Sequence, residues 1–153
     1  MTDLNPLEAG DDPYPQYNVT TTMQIDGALQ ITKGTLYTTD TDGRLVVIPA
    51  TGFANGVFQA KATPTAVAVE ADEDAVQVLG PRSRIIMIAT AANLVVGEDV
   101  VTTEAAPTNV VTGTNTSVFY LGKVFEIYTV NTDSTKKLIT AIGDKVIVET
   151  VQA

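Results

Sequence analysis

The chain contains no cysteine, no histidine and no tryptophan. Without cysteine there is no disulfide, no thiolate nucleophile and no Cys-bound metal. Without histidine it lacks the commonest general base, the commonest metal ligand and the usual switch near neutral pH. Catalysis would have to rest on carboxylates, Lys, Tyr or hydroxyls, so a non-enzymatic protein with no cofactor is expected. A carboxylate-only hydrolase, such as a glycosidase, needs two acids across a cleft, whereas the acids here fall in turn-like segments. Basic residues are also scarce: 9 Lys and Arg stand against 18 Asp and Glu, for a net charge of -9. Such a field repels phosphate backbones and anionic lipid surfaces, so neither nucleic acid nor membrane is an expected partner. No apolar run approaches the roughly eighteen residues of a membrane-spanning helix. Met1–Pro6 lack the basic start and apolar stretch of a secretion signal, which points to synthesis and retention in a cytoplasm.

What is present suits one compact all-β domain. The length is 153 residues with 44% hydrophobic side chains, enough to bury roughly two-thirds of the unfolded surface. Val, Ile and Thr are abundant, and their branched side chains favour pleated sheet. No window carries a sustained helical stripe. Short strand candidates run between turn signals: Val19–Ile25, Thr35–Thr38, Arg44–Ile48, Gly56–Lys61, Thr65–Glu70, Ala75–Leu79, Arg84–Ala89, Val100–Thr103, Asn109–Thr112, Val118–Val130, Lys137–Ile142 and Lys145–Val151. Such spacing predicts a β-barrel or sandwich. Arg84–Ala89 has the continuous apolar centre Ile85-Ile86-Met87-Ile88 of a strand buried on both faces. Val118–Val130 is expected to bend at Gly122, and Thr90–Val95 has room for a turn or two of helix.

Residues 1–18 read as an extended N-terminal arm ahead of a barrel domain at 19–153. Pro6, Pro13 and Pro15 forbid a helix and deny ladder hydrogen bonds. The segment is either a solvated tail or an arm lying on a neighbouring molecule, and Leu4, Leu7, Tyr14 and Tyr17 favour the second. On that reading, deleting residues 1–18 weakens partner attachment more than folding.

Several motifs have a plain and a functional interpretation. Asp40-Thr41-Asp42-Gly43 has the carboxylate spacing of a calcium loop but no closing Glu, so a hairpin turn is the better reading. Glu70, Asp72, Glu73 and Asp74 form an acidic cluster read as a solvated loop tip, with weak cation binding between subunits as the other possibility. Arg82 and Arg84 serve either ordinary surface pairing or a salt bridge to a partner's acids. Asn18-Val19-Thr20 and Asn115-Thr116-Ser117 match the glycosylation pattern but, with no secretion signal, read as turn or strand residues.

Two stretches echo each other. Ile31-Thr32-Lys33-Gly34-Thr35-Leu36-Tyr37 precedes Gly56-Val57-Phe58, and Leu94-Val95-Val96-Gly97-Glu98-Asp99-Val100 precedes Gly122-Lys123-Val124-Phe125. Each has an apolar residue three before a Gly, then a strand start, then a second Gly. Lys33-Gly34-Thr35-Leu36, Val96-Gly97-Glu98-Asp99-Val100, Gly122-Lys123-Val124 and Ala141-Ile142-Gly143-Asp144 together resemble the small β-barrel decoration (cement) proteins of tailed bacteriophages and archaeal tailed viruses. The resemblance covers residues 28–150 loosely and rests on turn chemistry. It implies a homotrimer on the outer capsid surface of a virion, bound to the major capsid protein and stabilising the shell, with an N-terminal arm touching it. Leu4, Leu7, Tyr14, Tyr17, Arg82 and Arg84 are the candidate partner contacts. The alternative is a carbohydrate- or receptor-binding β module of a virion spike or cell-surface layer, with Tyr14 and Tyr17 stacking on sugars.

Overall fold

A computed structural model describes residues 7–27, 29–53, 55–64, 73–89, 94–128 and 145–150. Leu4, the Thr65–Glu70 and Lys137–Ile142 strand candidates, the Ala141–Asp144 motif and Glu70 and Asp72 of the acidic cluster lie outside these residues, as does most of the Thr90–Val95 helix candidate. The described residues form no helix and ten strands: β1 Val19–Gln24, β2 Leu36–Thr39, β3 Leu45–Val46, β4 Val57–Ala60, β5 Glu73–Leu79, β6 Arg84–Ala89, β7 Asp99–Val101, β8 Asn109–Thr112, β9 Tyr120–Tyr128 and β10 Lys145–Thr150. The chain is thus an all-β protein containing a β-barrel. Glu73 and Asp74 belong to the start of β5, not to a loop tip, and pair with Gln24 and Met23 of β1.

The strands fall into two five-stranded units with the same topology. The first is a sheet of order β1-β5-β4-β2-β3, and the second a closed barrel of order β10-β6-β8-β7-β9. In the first unit a parallel bridge from Ile25 to Leu45 joins the end of β1 to β3. In the second, Ala89 pairs in parallel with Val110 and closes the barrel. The registers coincide at corresponding pairs, with two register shifts along β9 in the second unit. Thr22 opposite Ala75 corresponds to Ile86 opposite Ile147, and Leu36 opposite Gln59 corresponds to Asp99 opposite Lys123. Gln59 opposite Gln77 likewise corresponds to Lys123 opposite Glu149.

The first half of the sequence echo is the corner that starts the second strand of each unit, whereas its later glycines do not correspond, since Gly122 takes the position of Phe58. Thr35 N–H donates to Thr32 O across Gly34 at 3.1 Å, and Glu98 N–H donates to Val95 O across Gly97 at 3.2 Å. Gly34 and Gly97 have φ of +86° and +90°, the left-handed value a type II turn requires at its third residue. Each Gly N–H then reaches its own unit's fourth strand, Gly34 to Ala60 O at 2.9 Å and Gly97 to Val124 O at 2.8 Å. The apolar residue three before each Gly, Ile31 or Leu94, is buried.

Side chains fill both units. Ile25, Ile31, Tyr37, Leu45, Ala60 and Val76 pack inside the first. The larger core joins second-unit residues such as Ile85, Met87, Val100, Leu121 and Val148 to Leu36, Ile48, Val57 and Leu79 of the first. The outward face of β2, β4 and β5 therefore packs against the second barrel instead of water, and fusing the two cores makes the pair one body. Each large apolar side chain buried there contributes about 1.5–3 kcal/mol. In β6, Ile85, Met87 and Ala89 point into this core. Ile86 points the other way with Ile147 into a third cluster, against which Ile88 packs. Register irregularities flank Gly122 on both sides. A Cβ on Gly122 would strike Glu149 O, so a side chain cannot be accommodated at this bend of β9.

Candidate interaction surfaces

The described part of the arm lies on its own molecule. Leu7, Ala9 and Tyr14 cover Ile86, Ile88, Ile147 and Phe125 on the outside of the second barrel. Tyr14 donates its hydroxyl to Glu126 at 3.0 Å and packs edge-on against Phe125. The Arg84 guanidinium lies 4.0 Å from the ring centres of both Tyr17 and Phe125, and faces Glu149 at 3.7 Å. Cation–π contacts of this kind each contribute about 0.5–2 kcal/mol. Asn18, read from sequence as a polar turn or strand residue, donates its amide to Arg84 O at 2.7 Å and accepts from Arg84 N–H at 2.8 Å. It completes the backbone hydrogen bonds at the start of β6.

A second anchor holds the arm to the first unit. Lys33 bonds Asp11 at 2.7 Å and lies 3.5 Å from Glu8. Burial alone would raise the Asp11 pKa, but the Lys33 bond and charge, together with the Glu8 N–H, bring it below the ordinary carboxylate value of 3.8. This contribution is present above that value and is lost as pH falls through the folded-state pKa. Deeper in, Gln59 and Gln77 are fully buried. Gln59 donates to Gly34 O and Ile86 O, and Gln77 donates to Gln59 Oε1 and Gly10 O. These two amides tie arm, first unit and β6 together. Sequence reading overlooked them because an alternating Gln in a strand resembles a solvent-facing residue. The apolar Val57 and Leu79 on the same face were the available signal.

In the second unit the positions of Leu36, Gln59 and Gln77 are taken by Asp99, Lys123 and Glu149. Asp99 accepts from Lys123 and from the Tyr120 hydroxyl, each at 2.8 Å. The Lys123 and then the Tyr120 hydrogen bond lower the Asp99 pKa, while burial and then Asp99 raise that of Tyr120 to about 12. A raised phenol pKa contributes stability that is complete below the unfolded value of 10.0 and is lost as pH rises toward 12. In an absorbance titration at 295 nm, a tyrosine ionising at about 12 is expected, and Asp99→Asn is expected to return it toward the ordinary range. Unchanged titration in Asp99→Asn would contradict the contact. Beside this group lies a shallow depression of about 210 Å³, lined by Lys123, Val124, Phe125 and Glu149.

Two surface features remain. All of β1 except Met23 is exposed, it is the outer strand of its sheet, and it carries no charge and no Pro. Edge strands normally have such protection against pairing with other chains. Around the molecule Val19, Val47, Val95, Val96 and Val118 are each about 60% exposed.

Of the expected contact residues, Tyr14, Tyr17 and Arg84 are brought together, with Leu7 on the same apolar cluster. Leu7 and Tyr14 are half-buried, and Tyr17 is exposed. Arg82 stands apart. It is exposed in the turn between β5 and β6 and has φ +68°, a left-handed value found at no other described non-Gly residue. Asp40 does not present its carboxylate outward. Its Oδ1 accepts from Asp42 and Arg44 N–H within the β2–β3 hairpin. Among the described residues no group of three or more acids forms a metal-binding cluster.

These surfaces belong to an all-β protein of two fused five-stranded units whose accessible chemistry lies on a strand edge, turns and a shallow face. No protein-family model, curated protein or solved structure matches the chain.

Proposed function

We propose that this is a non-enzymatic structural protein of a virion, which binds the outside of a viral capsid as a homotrimer, contacts the major capsid protein and stabilises the shell. The observation that carries this reading is a contrast: both units are filled with side chains, while the surface offers an unprotected strand edge and exposed valines. Such a molecule works through surface-to-surface contact, and repetition over a symmetric shell turns weak contacts into firm attachment. Arg82 supports it further. A non-Gly residue in this conformation costs on the order of 1 kcal/mol that Gly would avoid, so an exposed arginine kept there points to a use for its guanidinium, such as pairing with acids of the shell. The carbohydrate- or receptor-binding alternative is less favoured, because Tyr14 and one face of Tyr17 are already occupied by Phe125 and Arg84.

The test is co-sedimentation of the purified protein with capsids assembled from the major capsid protein alone. Wild type is expected to pellet with the shells and raise their melting temperature. Arg82→Gly is expected to gain about 1 kcal/mol in folding stability while attaching about tenfold more weakly. A wild-type protein that stays in the supernatant would remove the proposal. An Arg82→Gly protein that attaches fully would remove Arg82 from it.

A further inference from the structure

We infer that copies of this chain associate head to tail, the Asp99–Lys123 face of one copy seating on the β1 edge of the next. The inference deepens the self-association in the proposed function and rests on that part of it. It starts from the junction the molecule already contains. There the β2–β4–β5 face of the first unit meets β6 and the β7–β8 loop of the second. Gln59 donates to Ile86 O at 2.9 Å, Leu36 N–H donates to Pro107 O at 3.1 Å, and the hydroxyls of Thr35 and Thr108 lie 2.9 Å apart.

Because the two units share one topology and register, each surface of this junction has a counterpart at the far end of the molecule. The counterpart of the seating face is Glu98, Asp99 and Lys123. The counterpart of the receiving face is β1, with Thr22 in the place of Ile86, and the β2–β3 turn, with Arg44 adjoining the position of Thr108. Lys123 on the first counterpart and Thr20 and Thr22 on the second are exposed. On β6 the groups of Arg84 and Ile86 are occupied by Asn18 and Gln59, while no described hydrogen bond fills the corresponding edge of Thr20 and Thr22.

The exchanged residues fit a contact between separately folded molecules. Lys123 is a longer donor than Gln59 and is 55% exposed, within the reach needed for a strand-edge carbonyl. The apolar Ile86 and Ile88 become Thr22 and Gln24, which tolerate water before association. Copy-to-copy interfaces are more polar than a core in this way. The two surfaces differ, so the contact is heterologous and is satisfied for every copy only when a ring closes.

Two variants test this by sedimentation velocity. Lys123→Glu spoils the seating face and Thr22→Lys the receiving edge, and both sites are exposed, so circular dichroism is expected to stay native. Each variant alone is expected to be a monomer, its self-association weakened on the order of 100-fold. Mixed in equal amounts, they are expected to form a two-chain species that grows no further, because each retains one intact surface. Isologous β1–β1 pairing predicts the reverse, with Lys123→Glu assembling like wild type and the mixture giving no rescue. That result, or a wild type monomeric at all concentrations, overturns the inference. Shell attachment is scored separately. A wild type that pellets with capsids while Lys123→Glu assembles normally leaves the decoration role standing, and a successful mixing experiment with no shell binding leaves only the assembly.

Discussion

Removal of residues 1–17 is expected to cost the fold about 4–6 kcal/mol. Leu7, Ala9 and Tyr14 of the arm pack with Ile86 and Ile147, both fully buried, and with the partly buried Ile88 and Phe125. Exposing two to three large apolar side chains costs about 1.5–3 kcal/mol each. The Tyr14–Glu126 hydrogen bond, the Arg84 contacts with the Tyr14 and Tyr17 rings and the Gly10 carbonyl that accepts from Gln77 are lost as well. Small domains are stable by about 5–15 kcal/mol in total, so the truncated chain should sit near the edge of folding and expose a sticky apolar face. Urea unfolding followed by circular dichroism measures this directly. A loss below about 1 kcal/mol would mean that the arm is held only by its Lys33 ion pairs. The order expected from sequence, in which deleting residues 1–18 weakens partner attachment more than folding, then requires an attachment loss larger than this folding cost. The residues expected to grip a neighbour, Leu7 and Tyr14 above all, grip the chain's own barrel.

The second large effect separates two glycines that look alike in sequence. Gly34→Ala is expected to destabilise by about 3 kcal/mol or more, and Gly97→Ala by about 1 kcal/mol. Both have positive φ, +86° and +90°, so both replacements pay the same backbone strain. A Cβ at Gly97 meets nothing within 4 Å, whereas one at Gly34 lies 2.7 Å from Ala9 Cβ and 2.8 Å from Ala9 O. The arm is seated on the first corner and not on the second. Gly34→Ala must therefore push the arm off Lys33 and Gln77, which a Tyr14 or Tyr17 fluorescence change should report alongside the urea midpoint. Equal losses for the two variants would show that Ala9 yields freely and that the seat is soft.

Strand positions were largely legible because alternation and turn chemistry are local. Arg84–Ala89 and Asn109–Thr112 have the same bounds in sequence and structure, each set by a branched apolar run between turn residues. The Gly34 and Gly97 corners were legible for the same reason, since a positive φ selects Gly. Asn18, Gln59 and Gln77 were not. A polar residue on one face of a strand announces solvent, and only the packing of one unit against the other turns that face into an interior. The strained Arg82 was also invisible as strain, because its sequence context, Gly80-Pro81-Arg82-Ser83, reads as an ordinary turn.

Composition and periodicity alone determined that this chain is all-β, lacks cysteine, histidine and tryptophan, and carries a net charge of -9, because these properties depend on residue types and their nearest neighbours. That each Gly corner opens the second strand of a repeated five-stranded unit, that the described arm folds back on its own barrel, and that among the described residues β6 is covered while β1 is exposed were decided by tertiary structure. Those outcomes depend on contacts between residues far apart in the chain, whose pairing is set by which apolar faces can cover one another.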